Sequence, residues 1–231
     1  MVTEKFKLVV SLPENDVELA RSAEAGGADA VKLHLNIIHS ASGTCFGNWQ
    51  EEREKIQKIV EAVKCEIGVM PGTHTLPSEE DFQDIKLIGV KFLDLFAHNA
   101  TTKLLTMKPE FDAFIAVSEA LSKQSLQALI RSFEGTALKP RMLELAIVPK
   151  ESYGAPLNAT DLMKYREIAE ASPIPILIPS EKLIEPEDLR LLKFPNVGGI
   201  MIGVISTGRS AKTIESVTRK FRMEIDKRIL Q

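Results

Sequence analysis

Short apolar runs alternate along this chain with longer stretches whose apolar residues return every three or four positions. The runs are rich in Val, Ile and Leu without strict alternation, the pattern of strands covered on both faces. They predict strands over 6–11, 30–36, 66–70, 90–96, 111–118, 142–148, 174–180 and 199–204. The stretches between them predict helices over 16–25, 51–63, 78–85, 101–107, 123–133, 161–171, 185–192 and 211–227, the third, fourth and seventh of them short. Local signals agree. Asn15 and Asp16 are placed to cap the first helix and Gly26-Gly27 to end it. Ser78-Glu79-Glu80-Asp81 joins a capping hydroxyl to three acids at a helix start, where the dipole favours negative charge. Glu185-Pro186-Glu187-Asp188 does the same with proline in the first turn.

Strands separated by helix-length segments imply right-handed crossovers and a parallel sheet. Eight strand-then-helix units in 231 residues match the size of a closed α/β barrel, a single (β/α)8 (TIM) barrel domain over 1–231. The count exceeds that of the usual doubly wound sheet. No G-x-G-x-x-G follows the first strand, so the dinucleotide fingerprint is absent too.

A barrel reading says where chemistry should lie, because these folds build their sites at the carboxyl ends of the strands. Side-chain parity then sorts each strand. In the second, Val31, Leu33 and Leu35 form the apolar outer face, which turns Lys32, His34 and Asn36 inward. In the fourth, Leu93 and Leu95 face out and Asp94 faces in. In the sixth, Leu143, Leu145 and Ile147 face out and Glu144 faces in. One lysine, one histidine and two carboxyls are thus expected to converge, and burying charge without purpose is costly. Lys32, Asp94, Glu144 and His34 are the candidate catalytic residues. The loop over 37–48 is long enough to be a lid or binding loop and mixes His39, hydroxyls, Gly43 and Phe46. Trp49, the only tryptophan, is placed to anchor it.

Three stretches near the carboxyl end form a series: 175–182 (PILIPSEK), 185–189 (EPEDL) and 197–204 (VGGIMIGV). The series resembles the closing units of the ribulose-phosphate-binding barrel superfamily. Val10-Ser11-Leu12 and Glu24-Ala25-Gly26-Gly27-Ala28-Asp29-Ala30 are similar in layout to the opening of its sugar-phosphate epimerases. The resemblance implies a phosphate held on backbone N–H groups after strands seven and eight, a role that amides at helix starts and glycine turns suit on physical grounds. Carried onto this chain, it makes Ser180, Gly203, Val204 and Ser206 the phosphate-binding candidates; Ser11, Asn36, His98 and Glu181, at the same end of the barrel, are the further candidate substrate contacts. The chain departs from the pattern at Pro179-Ser180-Glu181, where many members have glycine. His34-Leu35-Asn36 is similar to the His-x-Asp of metal-dependent pentulose-phosphate epimerases, but asparagine replaces the aspartate and 67–70 holds no histidine. No metal and no cofactor are therefore expected.

Composition narrows the partners. A net charge of −3 lacks the basic excess of a nucleic-acid-binding domain. Cys45 and Cys65 stand apart without metal-ligand or disulfide spacing. Residues Met1 to Lys7 show no leader-like apolar run, and no later run is of membrane-spanning length. A cytoplasmic protein acting on a small phosphorylated metabolite is expected, without nucleic acid or membrane. Barrels of this kind often pair through their helical faces, so a homo-oligomer is an open expectation. Three functions fit: an isomerase, epimerase or lyase moving a proton next to a carbonyl of a sugar phosphate or phosphorylated keto acid; a class I aldolase using Lys32 as a Schiff-base nucleophile; and a non-catalytic, phosphometabolite-binding regulatory barrel.

Overall fold

The computed structural model describes residues 6–229, so most of the Met1–Lys7 stretch lies outside the described residues. Eight parallel strands close into a barrel: β1 (Lys7–Ser11), β2 (Ala30–His34), β5 (Glu66–Met70), β6 (Phe92–Phe96), β7 (Phe111–Val117), β8 (Leu138–Leu145), β9 (Ile176–Pro179) and β10 (Val197–Ile202). Closure comes from β1, which pairs with β2 on one side and β10 on the other. The two remaining strands, β3 (Ile37–Ile38) and β4 (Cys45–Phe46), form an antiparallel hairpin outside the barrel.

Around it run α1 (Val17–Ala25), α2 (Trp49–Ala62), α3 (Glu79–Leu87), α4 (Thr102–Thr106), α5 (Lys123–Arg131), α6 (Ala159–Ala171), α7 (Val204–Thr207) and α8 (Ala211–Ile229). The segment predicted as the seventh helix is a 3-10 helix, Pro186–Leu192, closed by a reciprocal capping box between Glu185 and Asp188. Capping signals otherwise act where the sequence puts them. Asp16 accepts from the Leu19 amide, and Ser78 pairs reciprocally with Asp81. Asn15 does not cap. Its buried amide grips both the N–H and the C=O of His34 and also bonds Glu52, fixing the end of β2 to the loop before α1. Trp49 opens α2 and donates to Asp84 on α3 at 3.1 Å, so it ties two helices together.

Two apolar clusters follow from the strand parity. Val31, Leu33, Leu35, Leu93, Leu95, Leu143 and Leu145 pack outward against the helices. A smaller plug of Val9, Ala30, Phe92, Phe114, Met142, Leu177 and Met201 fills the barrel axis. Below the plug, Lys7, Glu66, Arg141 and Asp112 form an ion network across four strands. Arg141 reaches it because a register shift in the β7–β8 pairing locally changes the pleat. Above the plug lie the charged residues. On three strands the inward series runs from apolar to ionisable: Ala30 to Lys32, Phe92 to Asp94, Met142 to Glu144.

The plug depends on one missing side chain. Phe92 stacks on Phe114 with ring centroids 4.1 Å apart, and a methyl group at Gly68 would overlap the Phe92 ring. Gly68→Ala is expected to destabilise the fold by about 1–3 kcal/mol through overpacking. Phe92→Leu in the same chain should recover part of the loss, because it vacates the overlapped space. Denaturant melts of the two variants check this; equal stability of Gly68→Ala and wild type would refute it.

Candidate functional site

At the carboxyl end of the barrel, above the plug, lies a cavity of about 130 Å³. Its floor is the trio expected from parity. Lys32 Nζ lies 2.9 Å from Asp94 Oδ2 and 3.4 Å from Glu144 Oε2, and all three side chains are at most one-tenth exposed. β2, β6 and β8 are not adjacent in the barrel, so the trio ties three separated strands across its axis.

Charge balance decides the protonation of this cluster. Two carboxylates facing one ammonium would leave a net buried negative charge, which low-dielectric surroundings penalise. Burial, followed by the negative charge of Asp94 and a hydrogen bond with it, pushes the Glu144 carboxyl well above the usual range, against the pull of Lys32. For Lys32, burial favours the neutral amine, but the charges of Asp94 and Glu144 together outweigh it and its pKa rises. In this small shared space Lys32 stays an ammonium and Glu144 holds its proton more tightly than a free carboxyl does.

His34 is fully buried beside the trio, its Nε2 3.4 Å from the Ser11 hydroxyl and its Nδ1 without a hydrogen-bond partner among the described residues. Its ring packs on His39 and Phe46 of the β3–β4 hairpin, with centroids 4.6 and 4.8 Å away. The long loop after β2 is thus a folded hairpin leaning over the cavity. Arg209, between α7 and α8, donates to the Ser42 carbonyl and clasps the hairpin tip to the opposite rim. Both imidazoles are held neutral. Burial, then the nearness of the His39 ring and of the Lys32 ammonium, pushes His34 well below its ordinary value; burial, then Lys32 and Arg209, pushes His39 down to about 4.

The remaining candidates divide. Ser11, Ser180, Glu181, Gly203 and Val204 line the cavity. The Ser180 hydroxyl accepts the Gly203 N–H at 3.0 Å, which leaves its own proton free to donate. A side-chain methyl at Gly203 would meet Ser11 only at ordinary contact distance, so this glycine is not forced by crowding. Glu181 is occupied on both oxygens, by the Val148 N–H at 3.1 Å and the Tyr153 hydroxyl at 2.7 Å, and so pins the loop after β8. Burial raises its pKa against those two bonds and the pull of Lys32.

Asn36, His98 and Ser206 are not on the cavity wall. β2 ends at His34, and Asn36 turns into the left-handed region (φ 53°), where its amide donates to the Pro71 carbonyl. The expected inward alternation therefore stops two residues short. His98 stacks on Phe96 in the short 3-10 helix Ala97–Asn99. Ser206 donates to the Ile184 carbonyl, a bond that holds α7 to the loop after β9. Among the wall residues outside the candidate set, His39 and Tyr153 carry ionisable side chains. His39 had a readable signal, since His39-Ser40-Ala41-Ser42-Gly43-Thr44 has the composition of a tight turn between Ile38 and Cys45. Tyr153 had none.

Among the described residues no three His, Cys, Asp or Glu side chains gather as metal ligands would, and no helix is long and apolar enough to cross a membrane. The sequence matches no protein-family model and no curated protein. The fold, by contrast, has many counterparts among solved structures. It is similar to thiamine phosphate pyrophosphorylase from Pyrococcus furiosus, with a TM-score of 0.63 at 14% identity over 98% of each chain. It is similar to KGPDC from Streptococcus mutans, with a TM-score of 0.60 at 13% identity over 98% of this chain and all of that one. Phosphoribosyl anthranilate isomerase from Thermus thermophilus gives 0.59 at 14% identity, covering 94% of this chain and 99% of its own. Likeness at this identity shows the fold, a (β/α)8 barrel.

The depressed imidazoles make a stability prediction with a definite sign. A group whose folded pKa lies below its unfolded value contributes stability above the unfolded value and loses it as pH falls through the folded one. For His39 that window runs from 6.5 down to about 4, and His34 adds to the same slope. Glu144, raised, acts oppositely, so the comparison must be between variants. A His34→Gln, His39→Gln protein should lose less stability than wild type between pH 7 and 4.5. Parallel melting curves for the two across that range would contradict the assignment.

Proposed function

We propose that the protein is a phosphometabolite enzyme that moves a proton next to a carbonyl, as an isomerase, epimerase or lyase of a sugar phosphate or phosphorylated keto acid. The observation that carries this reading is the Lys32–Asp94–Glu144 cluster at the floor of an open cavity. Glu144, keeping its proton, is the acid that gives it to the carbonyl oxygen. Asp94 is the base toward the neighbouring carbon. The Lys32 ammonium stabilises the oxyanion that develops between them, in a site where a fixed charge acts more strongly than in water. Two carboxyls on one ammonium, one of them with its pKa raised by burial, can supply acid and base from one constellation.

Phosphate is the handle in this reading. The rim made by Ser180, Gly203 and Val204 offers a hydroxyl proton and the opening amides of α7. Two of the similar structures carry phosphate compounds in their names, thiamine phosphate and phosphoribosyl anthranilate. Binding energy from that end would position the carbon being attacked. The Schiff-base alternative loses ground because the two acids hold Lys32 as an ammonium, whereas a nucleophilic amine needs its pKa lowered.

The test has two readouts. In thermal melts against phosphorylated metabolites, a ligand at a hundred times its Kd should add about 2.7 kcal/mol of stability. Gly203→Leu should abolish the shift by filling the rim. Compounds that bind are then incubated in heavy water, and loss of the proton signal next to the carbonyl is followed by NMR. Lys32→Met and Glu144→Gln are each expected to slow that exchange by about 10²–10⁴. Binding without exchange for every ligand would leave a regulatory barrel. No melt shift with any phosphate compound would end the reading altogether.

A further inference from the structure

The β3–β4 hairpin carries a side chain whose orientation is fixed more tightly than a surface loop requires. His39 Nδ1 accepts the Ser42 N–H at 3.2 Å, and the Ser42 hydroxyl lies 3.1 Å from the same nitrogen. That hydroxyl is itself approached by the Thr44 N–H at 3.3 Å, so it receives one bond and directs its own proton to His39. The backbone closes the same turn, with Gly43 N–H to the His39 carbonyl at 2.7 Å and His39 N–H to the Thr44 carbonyl at 2.9 Å. A backbone amide only donates, so Nδ1 must be the acceptor. A neutral imidazole with Nδ1 unprotonated carries its proton on Nε2. Nε2 has no acceptor among the described residues, while the ring lines the cavity. The ring is held from below by His34 and from the tip by the Arg209–Ser42 clasp.

We propose that His39 is a ligand-contacting residue of this site, a neutral imidazole locked as the Nε2–H tautomer that donates to an oxygen of the molecule bound above Lys32, Asp94 and Glu144. The inference rests on the cavity being the ligand site, as in the proposed function, and adds a second electrophile to it. Lys32 approaches the reacting oxygen from the barrel floor and His39 from the hairpin. A ligand oxygen bearing negative charge, a carboxylate or an enolate-like oxyanion, is the group the pair fits. The hairpin supplies the donor without adding a second positive charge beside Lys32, which an ammonium or an imidazolium there would do.

The probe for the test is phosphoglycolate, which has a carboxylate at one end and phosphate at the other. In protein labelled with nitrogen-15 at histidine, long-range proton–nitrogen NMR reports which ring nitrogen carries hydrogen, and His39→Gln assigns the signals. The expected result is an unprotonated Nδ1 and a protonated Nε2 on His39, with the Nε2 resonance moving as phosphoglycolate saturates the site. His39→Phe, which keeps a ring on His34 but lacks the donor, should bind phosphoglycolate about tenfold more weakly, the worth of one hydrogen bond of roughly 1.4 kcal/mol. His39→Gln, whose amide can donate, should recover part of that loss. A proton on Nδ1, or a saturating melt shift with an unmoved Nε2 and an unchanged Kd in His39→Phe, would overturn the proposal while leaving the ligand site standing. Absence of any melt shift with phosphoglycolate or the other phosphorylated compounds would remove the ligand site and His39's role in it together.

Discussion

A buried ammonium on β2 needs negative charge within reach, and the top of this barrel is organised around that need. Lys32 is met by Asp94 from β6 and Glu144 from β8. Stripping an ion of water costs several kcal/mol even after relaxation, so the contact is maintained only if the balance of charge is right. One cation with two acids is balanced when one acid stays protonated. In the proposed function that balance supplies an acid, a base and a fixed positive charge, the minimum set for moving a proton beside a carbonyl. The two acids hold Lys32 as an ammonium, and burial, aided by that positive charge, keeps the neighbouring imidazoles of His34 and His39 from charging.

The barrel makes the constraint affordable by geometry. Strands alternate inward and outward residues, and on β2, β6 and β8 the inward series passes from apolar to ionisable as it rises. The Phe92–Phe114 stack closes the axis beneath the cluster, with Gly68 yielding the space it needs. Water is thereby kept from the underside of the charges, and the upper side is covered by a hairpin held at both ends. The hairpin stands on His34 through two ring contacts and is clasped across the cavity by Arg209. Asn15 holds the end of β2, and Glu181 with Tyr153 holds the loop after β8, so the walls are braced by side chains that need not touch ligand.

Much of this was legible in the sequence because it depends on period. A strand buried on both faces still alternates what it buries, and Val31, Leu33 and Leu35 were enough to turn Lys32 and His34 inward. The same reasoning placed Asp94 and Glu144. It failed at Asn36 because alternation holds only while the strand lasts, and a left-handed turn there redirects the side chain to Pro71. Ser206, which came from the family resemblance and not from period, stands off the cavity because its hydroxyl holds the short helix α7 to Ile184. The strand β8 begins four residues before its expected start, because Lys139 and Arg141, paired with Glu110 and with Glu66 and Asp112, interrupt the apolar run there. The hairpin was read as a loop because two-residue strands leave almost no period to detect. Tyr153 lay beyond reach for a different reason: it is brought to the wall by Glu181, a partner 28 residues away.

The most direct test is infrared difference spectroscopy of the wild-type protein against Glu144→Gln at neutral pH, watching the carbonyl stretch of a protonated carboxyl. A protonated-carboxyl band present in wild type and missing from the variant is the predicted result, since the charge balance leaves Glu144 its proton. A difference spectrum showing only the loss of an ionised carboxylate would contradict the account, because Lys32 would then face two charged acids and the acid–base division of the site would not exist.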